Sequence, residues 1–75
     1  MFLKLVEDEL HRSRTKHGDM RSVHEGLGII EEEFWEVKQE IFKSKHDKAA
    51  LGKELVQLAA MCMKLYYDMG LNANQ

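Results

Sequence analysis

The sequence predicts an all-α protein, a three-helix antiparallel protomer completed by oligomerisation. Three observations carry this expectation. Proline is absent and β-branched residues are sparse beside Leu, Met, Ala, Glu and Lys, a composition that favours helices. Apolar residues recur at three- and four-residue spacings through three separate stretches. The last of these stretches is apolar around more than half of its circumference, which is more than two partner helices of so short a chain can cover. At 75 residues the chain makes one domain, residues 1–75, at the small end of what folds alone.

The first helix is expected over about 2–17. Phe2, Val6 and Leu10 share a side that Leu3 and Leu5 widen, while Glu9, Arg12 and Lys16 occupy the polar flank. The pattern fades at Ser13 and stops at Gly18, with His17 in the last turn, where a protonated ring suits the helix dipole. Ser22 with Glu25 three residues on reads as a capping box, so the second helix is expected over about 23–43. Leu27, Ile30, Phe34, Val37 and Ile41 form its apolar stripe, with Phe34 in the middle and packed against the other two helices. Residues 44–47 are short enough to turn the third helix back against the second. That helix, capped by Asp47 or starting there, is expected over about 47–69, before a stop at Gly70 and a polar, frayed tail from Asn72 to Gln75. Leu51, Leu55, Leu58, Ala59, Cys62, Met63, Leu65, Tyr66 and Met69 make its apolar side, and Lys53, Glu54, Gln57, Lys64 and Asp68 its polar strip. The breadth of that side predicts a homo-oligomer, a dimer or a dimer of dimers.

Composition narrows the function. The formal charge is -2 with acids and bases interspersed, so there is no electrostatic footprint for nucleic acid or an anionic membrane. A helix-turn-helix reader is disfavoured further because the third helix carries an acidic and amide strip rather than a basic one. The single cysteine, Cys62, forbids an internal disulfide and reads as a small buried hydrophobe. No histidine stands in a zinc-ligand spacing. Neither a cleavable signal nor a membrane-length apolar run is present, which predicts a soluble, cytoplasmic protein.

The chemistry concentrates on an acidic ladder. Glu33, Glu36 and Glu40 repeat at helical spacing beside the apolar stripe, Glu33 close to its edge and Glu36 further round. Like charges so placed repel, and water, neighbouring cations or a bound hard cation must offset them. After seventeen intervening residues, Glu54-x-x-Gln57 follows Glu33-x-x-Glu36. A tight antiparallel turn lets the two pairs face each other across one groove. Three carboxylates converging there make an oxygen site for Mg²⁺ or Mn²⁺, with phosphate oxygens completing the shell. The competing reading is a solvated acidic face.

Here the chain resembles the MazG-like all-α nucleoside triphosphate pyrophosphatases, whose signature is a Glu-Glu-x-x-Glu helix followed by Glu-x-x-Asp. Glu32-Glu33-Phe34-Trp35-Glu36 matches the first half, and Glu54-Leu55-Val56-Gln57 matches the second except at its last position. The likeness is greatest to small phage- or bacterium-encoded members, and Glu9, Arg12, Lys16 and Gly18 look like their opening pattern. The resemblance implies Mg²⁺-dependent hydrolysis of a nucleoside triphosphate to the monophosphate and pyrophosphate, in a site built by packed subunits. It implies Glu33, Glu36 and Glu54 as metal ligands, Glu32 as a secondary acidic residue, and Gln57, Asp68, Lys16 and Arg12 as nucleotide-contacting or supporting residues. Two departures bear on activity. Gln57 replaces a carboxylate by an amide, which can coordinate through oxygen or donate through nitrogen but brings no charge. The fourth helix of many relatives is also missing, so part of a nucleotide pocket must come from a partner subunit. Three functions are therefore in play: an active pyrophosphatase, a non-catalytic protein of the same fold binding metal, nucleotide or a protein partner, and an unrelated helical interaction module.

Overall fold

A computed structural model describes residues 1–45 and 47–72. It contains three helices, α1 (Phe2–His17), α2 (Val23–Phe42) and α3 (Lys48–Asp68), with no strand among the described residues. The expected frayed tail falls mostly beyond Asn72, and His46 of the second connection also lies outside the described residues. None of these helices is long and apolar enough to cross a membrane.

The helix ends follow local chemistry. Gly18 closes α1 at φ 73°, where a side chain is strained, and its N–H donates to Arg14 O at 2.9 Å. Ser22 caps α2 by accepting from the Glu25 N–H at 3.0 Å, and Asp47 caps α3 by accepting from the Ala50 N–H at 3.1 Å. This bond requires Asp47 to be extended, so α3 begins one residue later than the pattern alone indicates. At the far end Gly70 takes φ 63°, with Leu71 N–H bonded to Tyr66 O and Gly70 N–H to Tyr67 O. Together these form a Schellman ending.

The three helices run up, down and up. α1 and α2 each pack on α3 and not on one another. Gly26 lies against Leu65, and Glu36 near Glu54, so α2 and α3 are antiparallel. Phe2 and Leu5 lie toward the start of α3, and Ser13 and Arg14 toward its end, so α1 and α3 are parallel. Val6, Met20, Ala60 and Met61 form a small buried core, to which Ile29, Ile30, Val56 and Leu65 contribute partly covered surface.

The facing surfaces differ from the simple amphipathic expectation. On α2 the covered side runs through Gly26, Ile30, Glu33, Val37 and Glu40. It is rotated by about 60° from the apolar stripe, at about 100° per residue. Leu27, Phe34 and Ile41 are consequently about half exposed; Phe34, expected in the core, is 53 % exposed. α3 shows the same inversion. Its buried residues are Ala60, Met61 and Lys64: Lys64 belongs to the polar strip, and none of the three is among the residues of the broad apolar side. Leu55 and Cys62 of the broad apolar side are exposed, so Cys62 is not the buried hydrophobe its neighbours suggested. Each helix turns part of its hydrophilic strip inward.

Candidate metal centre

This inward rotation places the acidic ladder between α2 and α3. Glu33, Glu36 and Glu54 each bring one carboxylate oxygen within 4.8 Å of the others, and all three residues are half-buried. The helix period supplies two of them, because Glu33 and Glu36 are three residues apart on one face. The antiparallel packing of α3 supplies Glu54 at the same level.

The electrostatics are those of a site short of positive charge. Glu33 is pushed up from 4.5 to about 7, first by burial, then by the charges of Glu36 and Glu54, a proton shared with Glu36, and the charge of Glu32. Glu54 is also raised, by burial first and then by its bonding to and repulsion from Glu36, with Lys53 opposing and Glu40 adding to the effect. Glu33 Oε2 and Glu54 Oε2 are buried without a hydrogen-bond partner. One turn further along, Glu40 Oε2 accepts from Lys43 Nζ at 2.7 Å, while Glu40 Oε1 is again buried and unpartnered. Buried acceptors are ordinarily paired. Three carboxylates on two rigid helices, with lone pairs unused and no carbonyl or thiolate among them, suit a hard cation such as Mg²⁺ or Mn²⁺. The donor set fits the group that the sequence suggested.

The other sequence-derived residues are distributed around this cluster. Where the backbones of α1 and α2 stand apart, a cleft of about 340 Å³ runs between them with α3 as its floor. Glu32, Gln57 and Arg12 line it, and Glu33 belongs to both cleft and cluster. Arg12 is held at the rim by Glu9, which accepts at 2.9 and 2.6 Å. Lys16 is exposed at the end of α1 and does not line this cleft. Asp68 is engaged elsewhere: its side chain, 3 % exposed, accepts from the Arg14 guanidinium and, at 2.8 Å, from the Met20 N–H. These bonds fasten the end of α3 to the first connection. Burial works against the charged form of Asp68, but the Arg14 and Met20 bonds prevail and hold its carboxyl below the usual range.

Sequence reasoning missed two cleft residues. Ser13 and Lys64 are both buried, and Lys64 Nζ donates to Ser13 Oγ at 2.9 Å. A hydroxyl interrupting the buried stripe of the first helix, level with a lysine at the floor of the cleft, was the available signal. Nothing in the spacing of either helix alone pairs them. Comparison of the chain with protein-family models, with curated proteins and with solved structures gives no match.

Proposed function

We propose that this protein binds a divalent hard cation through Glu33, Glu36 and Glu54, and that it works as a homo-oligomer of a MazG-like helical protomer. The single observation carrying the cation site is the convergence of three half-buried carboxylates, of which Glu33 and Glu54 each keep a buried oxygen without a hydrogen-bond partner. The bound ion would supply positive charge, polarising a phosphoryl oxygen or a water molecule. The chain's own part is to fix three oxygens on two packed helices and to limit water around them. Assembly is supported by the apolar surface the protomer leaves open. Leu27, Phe34, Ile41 and Leu55 are half exposed, and a groove of about 720 Å³ between Phe2, Leu5, Leu55 and Val56 is unfilled. Apolar patches of this extent mark contacts with other molecules.

Nucleoside triphosphate pyrophosphohydrolysis is the second reading, favoured by the cleft that shares Glu33 with the cluster and adds Glu32, Gln57 and Arg12. Its size falls in the range of small-molecule pockets, roughly 300–1,000 Å³. Gln57, half-buried at this position, leaves the site one carboxylate short of the family pattern, and for that reason binding is the primary proposal. Thermal melts with Mg²⁺, Mn²⁺ and Na⁺ at matched ionic strength test the first reading. Selective stabilisation by the divalent ions is expected, and equal responses would remove the site. Release of pyrophosphate from a mixture of nucleoside triphosphates tests the second.

A further inference from the structure

The cleft between α1 and α2 contains a charge that the carboxylate cluster does not use. Lys64 is 3 % exposed. Among the described residues its Nζ makes one hydrogen bond, to Ser13 Oγ, and no ion pair with a carboxylate. Asp68 feels the charge of Lys64, but its oxygens are already taken by Arg14 and the Met20 N–H. An ammonium group has three donors, and the Ser13 hydroxyl answers one of them. Burying donors without partners is costly. Ser13 also keeps a proton to give, since its bond to Lys64 uses an oxygen lone pair and no acceptor for the hydroxyl is found among the described residues.

The pair therefore presents two ammonium protons and one hydroxyl proton in a cleft that Arg12 and His17 share on the α1 side. Such a donor set suits an oxyanion. Glu32 and Glu33 line the same cleft from α2. They repel a bare anion but accept one that carries a divalent cation, and phosphate groups chelate hard cations through oxygens of the same kind. We infer that Lys64 and Ser13 form a phosphate-binding subsite, in which a phosphate or diphosphate group bridges these two donors and a divalent cation at Glu33. The cation half rests on the function proposed above; the donor half stands on Lys64 and Ser13.

Calorimetric titration with inorganic pyrophosphate in the presence of Mg²⁺ tests the subsite, using wild type, Lys64→Met and Ser13→Ala. Wild type should bind, and Lys64→Met should bind about tenfold or more weakly, as expected for loss of a charge-assisted bond. Ser13→Ala should weaken binding by about threefold or more, as expected for loss of a neutral hydrogen bond. Mn²⁺ titrations without pyrophosphate report the carboxylate cluster separately. Wild type failing to bind pyrophosphate while it binds Mn²⁺ overturns the subsite alone, as does pyrophosphate affinity unchanged in both variants. Pyrophosphate binding that depends on Lys64 without any Mn²⁺ site in wild type upholds the donors and overturns the cation bridge. Should Lys64→Met fail to fold, Ser13→Ala decides: unchanged affinity in that variant overturns the proposal.

Discussion

The raised carboxyl of Glu33 makes stability without metal depend on pH with a definite sign. The folded protein holds the Glu33 proton up to about pH 7, whereas an unperturbed glutamate loses it near 4.5, so the folded state binds more protons in that window. Stability is full below pH 4.5, declines as pH rises through the window, and levels off above about 7. Each tenfold change in proton affinity is about 1.4 kcal/mol, so the whole displacement sets a ceiling of about 3.5 kcal/mol. Water reaching this half-buried group screens the repulsion and brings the expected loss to about 1–2 kcal/mol. Urea denaturation of metal-free protein at pH 5 and pH 8 should show that decline. In Glu33→Gln most of it should vanish, because the amide cannot ionise. His11, His17 and His24 are exposed in the structure and are kept in both proteins, so the difference between the two slopes isolates the carboxylate. At pH 8, Mg²⁺ at a hundred times its dissociation constant should stabilise wild type by about 2.7 kcal/mol, and should stabilise Glu33→Gln by clearly less. Identical pH slopes in the two proteins would refute the claim that these acids are forced together.

Four further outcomes follow from the same geometry. Glu36→Gln should be more stable than wild type without metal and gain less from Mn²⁺ in thermal melts, while Gln57→Asp should show the reverse on both counts. Helix propensity alone predicts that Gly26→Ala gains about 1 kcal/mol, but the new Cβ meets Leu65 Cδ1 at 2.5 Å. Overpacking of about 1–3 kcal/mol should make the net effect neutral to destabilising in urea melts, turning into a gain when Leu65→Ala is added. Asp68→Ala, which removes the partner of Arg14 and of the Met20 N–H, should cost about 2–4 kcal/mol by the same measurement. Phe34→Glu should lower the sedimentation coefficient to that of a monomer if the proposed assembly forms through this face, and leave the helicity of the protomer intact, since Phe34 is half exposed.

Much of this architecture can be read along the chain because it is written in local chemistry. Gly18, Ser22, Asp47 and Gly70 end or begin helices by bonds to their immediate neighbours, and such bonds depend on nothing distant. The pairing of Glu33 and Glu36 with Glu54 is legible too, since helical spacing plus a short antiparallel turn brings them level. Rotation about each helix axis is not. Periodicity locates the apolar residues of α2 and α3 but does not say what covers them, and here Val37 is covered within the protomer while Leu27 and Phe34 are not. The assumption that Phe34 and Cys62 are buried fails for this reason. Asp68 illustrates a different limit: its partners, Arg14 and the Met20 backbone, lie 54 and 48 positions away, and neither belongs to any recognisable pattern with it. Lys64 and Ser13 share that limit at a separation of 51.

The fastening around Asp68 gives the molecule an uneven stiffness. At that end, the last turn of α1, the first connection and the last turn of α3 are tied by a buried carboxylate. At the opposite end α1 is held by Val6 in the core, while Phe2 and Leu5 beyond it are half exposed and border an open groove. The first helix is thus riveted at its C-terminus and merely leaning at its N-terminus. Amide hydrogens should therefore exchange along α1 as a gradient, fastest near Leu5 and slowest near Ser13.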